Sequence, residues 1–230
     1  MSAARRLALA AVAAAALLAP APAAADLVLS ELIVDLQPGR LTRDDVEVWN
    51  DSPQRAFVAV EPREILDPSL PSQSVRRDPD PEKLGILVTP ARMILEPGQR
   101  RLVRIADISA TPDREHVYRV TVKPVAGPIQ SDQSGLKIMV GYDVLVLVRP
   151  AAPAPSLVAT RSGRSLTFAN RGNVSVEVID GRQCPPAGGA CSSLPGKRIN
   201  AGASWTVQLP SDGPAEYTLR SPGRSERKVF

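Results

Sequence analysis

The sequence predicts an all-β fold, and three observations carry that prediction. The 230 residues include 23 prolines and 15 glycines. Valine and leucine come in short runs, and no apolar spacing of three and four residues is sustained over a dozen positions, as an amphipathic helix requires. Short apolar runs between turn-forming residues bury themselves by pairing as strands, so helix is at most a minor element.

The first 25 residues stand apart. Arg5 and Arg6 precede an apolar stretch over residues 7–18, followed by Pro20, Pro22 and the small residues Ala23, Ala24 and Ala25. That order predicts a secretory signal peptide cleaved after Ala25, hence a periplasmic product. The apolar core is too short, and its exit too rich in Pro and Ala, for a single-span anchor. Cleavage leaves residues 26–230, which are 205 residues with 26 basic and 24 acidic side chains, a net charge of +2. The length suits two small domains of about 100 residues each. The charge balance argues against a nucleic-acid partner, and no further apolar segment approaches the ~20 residues of a membrane helix.

Candidate strands follow in order at residues 27–36, 46–50, 56–60, 85–88, 101–107, 116–125 and 136–148. Seven short strands with turn residues between them fit an immunoglobulin-like sandwich over residues 26–150. In its last strand, GLKIMVGYDVLVLVRP, Leu136, Ile138 and Val140 share one face by the two-residue period, whereas residues 144–148 are an unbroken apolar run. The first half reads as covered on one face, the second as buried on both. An edge this apolar is an aggregation hazard, so it is covered by something, or covering it is its task. The next segment, RPAAPAPS, reads as a stiff linker or elbow. Strands at residues 156–160, 165–170, 174–180, 204–209, 216–220 and 228–230 then predict a smaller sandwich over residues 151–230.

Cys184 and Cys191, the only cysteines, lie in CPPAGGAC, and in an exported chain a loop disulfide is their natural pairing. With no histidine nearby and no C-x-x-C spacing, a metal site or redox pair has too little support. The single histidine, His116, opens a predicted strand, where it reads as packed or solvated. No G-x-S-x-G elbow, phosphate-binding glycine loop or metal-ligand cluster accompanies it. Asp44 with Asp45, and Asp78 with Asp80, sit in polar turn contexts. A binding protein without cofactor or metal is favoured over an enzyme. Arg149 follows five apolar residues, so a carboxylate partner at the domain junction is the physical expectation. Trp205 reads as core, and Pro97-Gly98 as a hairpin turn or a short connection between strands.

The run LVTPARMILEPGQRRLVRI at residues 87–105, with the long strand ending in Val148-Arg149-Pro150, resembles the immunoglobulin-like periplasmic chaperones of the chaperone-usher pilus pathway. The pattern NRGNVSVEV, the two cysteines, LPGKRINAGASW and LP are similar to the branch serving archaic, spore-coat-like pili. The resemblance covers essentially the whole mature chain. It implies two sandwiches joined at an angle and a chaperone that caps pilus or spore-coat-like subunits and passes them to an outer-membrane usher. Leu136, Ile138 and Val140 match the donor positions whose side chains fill a subunit's groove by strand addition. The competing reading packs these three into the first domain's own core, in an exported structural or adhesive protein. The loop 126–135 reads as a connection that orders when a partner arrives. Self-association of the free form would protect the same edge. The resemblance also implies two basic anchors for the subunit's terminal carboxylate. Here Leu145 occupies one position and the first strand, LVLSELIVDL, has no basic residue. Arg92, Arg104 and Lys137 are the substitutes considered, and Arg149 is the implied interdomain ion-pair residue.

Overall fold

The computed structural model describes residues 27–39, 41–110, 112–125, 139–185 and 188–230. Residues 1–26, where a signal peptide is expected, the segment 126–135, and Leu136, Lys137 and Ile138 lie outside the described residues.

The opening apolar segment is two strands rather than one. β1 (Leu27–Leu29) pairs antiparallel with β3 (Arg43–Asn50), whereas β2 (Ile33–Leu36) pairs parallel with β10 (Tyr142–Val148) in a different sheet. The break falls where Ser30 and Glu31 interrupt the apolar run. The Ser30 N–H donates to the Glu47 carbonyl at 2.9 Å, and its hydroxyl accepts from the Glu47 N–H at 2.9 Å. One short segment thereby seals an edge of both sheets, which exposed strand edges demand.

The first sheet runs β1-β3-β8-β6, with β8 at Arg100–Asp107 and β6 at Ile86–Thr89. The second runs β2-β10-β9-β4-β5, with β9 at His116–Val125, β4 at Ala56–Ile65 and β5 at Val75–Arg76; β7 (Arg92–Leu95) also pairs with β4. Alternation places the core between them: in β8, Val103 and Ile105 are buried while Leu102 and Arg104 face water. Val46, Val48, Val60, Val120, Val144 and Val146 belong to the same cluster. The Pro97-Gly98 turn joins β7 in one sheet to β8 in the other, so it is a connection between sheets and not a hairpin. Asp80, read as a turn residue, caps a short helix, α1 (Pro81–Leu84), by accepting the Glu82 N–H at 3.0 Å. Gly85 ends that helix at φ 91°, and a Cβ there would stand 2.8 Å from the Tyr118 hydroxyl, which donates to the Leu84 carbonyl at 3.2 Å.

The second sandwich has one sheet of β11 (Leu157–Ser162), β12 (Ser165–Asn170) and β16 (Ser204–Gln208), in that order. Its other sheet runs β14 (Ser192–Leu194), β13 (Val176–Gln183), β17 (Ala215–Ser221) and β18 (Arg224–Val229), with β15 (Lys197–Ile199) also on β13. β14 and β15 are absent from the sequence reading because three residues each are too few to show a period. Phe168 and Tyr217 are fully buried, whereas Trp205 is half-buried and stacks on Phe168 at 5.9 Å, closing the rim of the core. Cys184 and Cys191 form a disulfide in an exposed loop between β13 and β14. No helix among the described residues is long and apolar enough to cross a membrane.

Candidate functional site

β10 has two unlike halves. On one side it pairs with β9 throughout, from Tyr142 opposite Val122 to Val148 opposite His116. On the other side β2 reaches only from Leu145 opposite Ile33 to Val148 opposite Leu36, with the Leu145 N–H donating to the Leu32 carbonyl at 2.9 Å. Among the described residues, Tyr142, Asp143 and Val144 therefore have a strand partner on one side only. The ladder begins at Tyr142, where the Tyr142 hydroxyl donates to the Leu27 carbonyl at 2.8 Å; Met139, Val140 and Gly141 lie outside it, so the strand expected over residues 136–148 is shorter within the described chain.

The row facing inward from β10 comprises Val144, Val146 and Val148, all in the first core, with Tyr142 packed against it. Val140 continues that row by the two-residue period and is 62% exposed. The apolar row thus runs past the end of the core. Leu136 and Ile138, next in the row by sequence, lie outside the described residues. Leu32 and Ile33, where β2 stops, are exposed as well.

The opposite face of the same sheet looks towards the domain junction, and register sorts it into rows. Ile65, Val117 and Leu147 lie side by side and are buried as a separate cluster. A cavity of about 300 Å³ at this end is lined by Ile65, Pro68, Arg114 and His116 together with Asn200 and Ala201 of the second sandwich. One row further out come Arg63, Arg119, Leu145 and Ile33, and beyond it Glu61, Thr121 and Asp143. Arg63 donates to Asp143 at 2.7 Å and to the Thr121 hydroxyl at 2.5 Å, and Thr121 donates to Asp143 at 2.9 Å. Arg119 donates to the Asp143 carbonyl at 3.3 Å. Arg119 is therefore the cross-strand neighbour of Leu145, Arg63 stands one strand further on, and the two share the Asp143 carboxylate, at 3.9 and 2.7 Å.

At the junction Arg149 is 4% exposed. Its Nε and Nη2 donate to the two carboxylate oxygens of Asp35 at 2.8 and 2.7 Å, and its Nη1 donates to Glu115 and, at 3.3 Å, to Ser175. Burial pulls the guanidinium pKa down, but the hydrogen bonds and charges of Asp35 and Glu115 outweigh it and leave it above the ordinary arginine value. Glu115, itself buried, also accepts the Ser175 N–H at 3.1 Å, so one carboxylate bonds the first sandwich's arginine and the second sandwich's main chain. Arg198 stands nearby, paired with Glu177; burial, with repulsion from Arg149, holds its pKa below the ordinary value despite that partner.

Of the substitute anchors, Arg104 lies in the first sheet on its water-facing side and is bound through Nε and Nη2 to Asp45 at 2.8 and 2.7 Å. Arg92 pairs opposite Ala59, six residues along β4 from Ile65, roughly 20 Å from the junction at strand rise. Arg104 is thus on the other sheet, whereas Arg92 shares the junction-side face of Ile65 and Arg63 but lies three rows out from Ile65, and Lys137 is outside the described residues. The residues that sequence reasoning missed are Arg63 and Arg119. Arg119 is the one arginine of HVYRVTV and Arg63 lies between Glu61 and Glu64 in VEPREI, but only cross-strand register puts them side by side next to Leu145. His116, half-exposed, lies with Nδ1 3.4 Å from a Glu64 carboxylate oxygen.

Residues 38–154 match the family of pili and flagellar-assembly chaperones through its PapD N-terminal domain. The match spans 117 of the 230 residues, just over half, and the chain belongs to this family, whose members are assembly chaperones and not enzymes. No curated protein sequence matches the chain significantly. Among solved structures, the class 5 fimbriae chaperone CfaA is similar at 21% identity over 88% of this chain and 98% of its own, with a TM-score of 0.64. A chain from the Salmonella enterica SafA pilin in complex with the SafB chaperone is similar at 18% identity over 91% and 99%, with a TM-score of 0.65. A chain from the CsuC–CsuE chaperone–tip adhesion subunit pre-assembly complex of the archaic Csu pili of Acinetobacter baumannii is similar at 11% identity over 89% and 98%, with a TM-score of 0.58. These likenesses establish the fold, two immunoglobulin-like sandwiches in one chain.

Proposed function

We propose that this chaperone captures pilus or spore-coat-like subunits by adding β10 to a sandwich that lacks a strand, with Leu136, Ile138 and Val140 filling the subunit's groove. The observation that carries this reading is the overhang: the inward row extends beyond its own core to an exposed Val140, just ahead of a half-strand that among the described residues is paired on one side only. Strand addition needs both features, main-chain groups to pair and alternate side chains to insert. Three such side chains contribute on the order of 1.5 to 3 kcal/mol each before ordering costs. Chaperone–pilin and chaperone–tip subunit complexes among the similar structures support a subunit as partner. The same reading has the chain exported by its signal peptide, cleaved after Ala25, acting in the periplasm and delivering subunits to an outer-membrane usher.

For the subunit's terminal carboxylate we assign Arg63 and Arg119 in place of Arg92, Arg104 and Lys137. They stand side by side on one side of Leu145, the position the resemblance gives to a basic anchor, and hold a carboxylate, that of Asp143, in the free chain. Arg149 keeps its place at the domain junction, with both carboxylate partners, Asp35 and Glu115, in the first sandwich and its bond to Ser175 reaching the second.

The test is co-purification from the periplasm with Ile138→Asp and Val140→Asp, identifying bound proteins by mass. A small β-rich secreted subunit retained by the wild type and lost by folded variants is the expected result. Retention by both variants would overturn strand donation. Arg63→Ala with Arg119→Ala is expected to weaken capture while Arg92→Ala and Arg104→Ala leave it unchanged; the reverse pattern would return the anchor to the earlier candidates.

A further inference from the structure

The turn between β12 and β13, Arg171-Gly172-Asn173, grips the segment that joins the sandwiches. Asn173 uses all of its polar groups. Its N–H donates to the Ala154 carbonyl at 3.3 Å, and its own carbonyl accepts the Glu115 N–H at 2.9 Å. Its Oδ1 accepts the Ala154 N–H at 2.7 Å, while Nδ2 donates to the Asp113 and Ala152 carbonyls, both at 3.0 Å. Three of these five bonds hold the connecting segment and two hold the approach to β9 in the first sandwich. The Arg171 N–H adds a bond to the Ser156 carbonyl at 2.7 Å. Between them Gly172 leaves no space: a Cβ would stand 2.4 Å from the Ala154 carbonyl oxygen and 2.6 Å from the Ser156 nitrogen.

The Arg149 ion pairs at the same junction do not fix that orientation, because Asp35 and Glu115 both belong to the first sandwich; the second is reached there only at Ser175. A short, planar amide bonded to main-chain groups on both sides does fix it, because such bonds weaken steeply once bent. We infer that Asn173 is the positioning residue that sets the second sandwich's orientation against the first. It thereby sets the width of the cleft between the Ile65–Val117 row and Asn200 with Ala201. Across the opposite side of the cleft the Asn200 amide donates to the Pro68 carbonyl at 2.7 Å. The inference goes beyond the chaperone reading and its test needs no subunit.

Spin labels attached through Arg101→Cys on β8 and Ser225→Cys on β18, both exposed positions, report the distance between the sandwiches. The native cysteines are already bonded to each other and do not react. The wild type is expected to give one narrow distance. Asn173→Ala is expected to broaden it about two-fold or more, and Asn173→Asp, which keeps the acceptor but loses both donors, to broaden it less. The near-ultraviolet signal of Trp205, stacked on Phe168 and read in a Trp49→Phe background, checks that the second sandwich stays folded. If Asn173→Ala loses that signal, the isosteric Asn173→Asp carries the test. A distance as narrow as wild type in folded variants overturns the inference, and so does loss of the Trp205 signal in both, since Asn173 would then be a folding determinant of its own domain.

Discussion

Arg149 and Arg104 hold their aspartates identically, through Nε at 2.8 Å and Nη2 at 2.7 Å. Their surroundings differ entirely. Arg149 lies at the junction, buried, with Glu115 as a second carboxylate that water does not reach. Arg104 lies on the open face of the first sheet, where water solvates either partner alone. The two ends of β10 repeat the contrast: Val146 and Val140 are the same residue type on the same face, one fully enclosed and one past the core's edge. Contact geometry and residue type do not set what a group contributes here; the solvent it has lost does.

The largest test of this contrast is Arg149→Ala. It strands the Glu115 charge in the junction and is expected to cost about 3–5 kcal/mol in urea unfolding. A loss below ~1 kcal/mol would mean that Glu115 is not held by this pair. Val146→Ala comes next at roughly 2 kcal/mol, from lost burial plus the cavity left behind. Tyr118 and Tyr217 then report burial in each sandwich separately. Burial pushes Tyr217 up to about 12 and Tyr118 higher still. An unfolded tyrosine ionises near ~10, so between these values the unfolded chain binds fewer protons than the folded one. The stabilisation is whole below pH ~10 and declines as pH rises towards the folded values. Ultraviolet titration should show Tyr217 ionising before Tyr118; the opposite order would assign the tighter enclosure to the second sandwich. The smallest effects belong to the exposed partners. Val140→Ala should stay within ~0.5 kcal/mol in stability. Arg104→Ala should give a slight shift in Tm that vanishes at high salt. A Val140 effect as large as that of Val146 would place it in the core and remove the overhang.

Much of the fold was legible because period and turn chemistry are local. β9 at His116–Val125 and β12 at Ser165–Asn170 lie where the alternation places them. β1 and β2 were merged because a strand that changes sheets keeps its apolar composition, and only the partner reveals the crossing. The α1 helix went unseen because four residues show no helical period; Asp80-Pro81, an acidic cap before a first-turn proline, was its one available signal. At the site, the need of Arg149 for a carboxylate followed from its apolar neighbours, but Glu115 and Asp35, distant in sequence, carried no mark of that role.

The sequence by itself determined the all-β class, the two sets of strands, the apolar row ending in Val140 and the buried charge that must be met at Arg149. Each follows from short-range rules: a two-residue period, turn residues, and the cost of leaving a charge without water or a partner. The tertiary structure alone decided that β2 stops at Ile33 and, among the described residues, leaves half of β10 one-sided, that Arg63 and Arg119 stand together beside Leu145, and that Asn173 ties the two sandwiches. These depend on register between strands far apart in the chain, where a one-residue slip would turn every side chain to the other face.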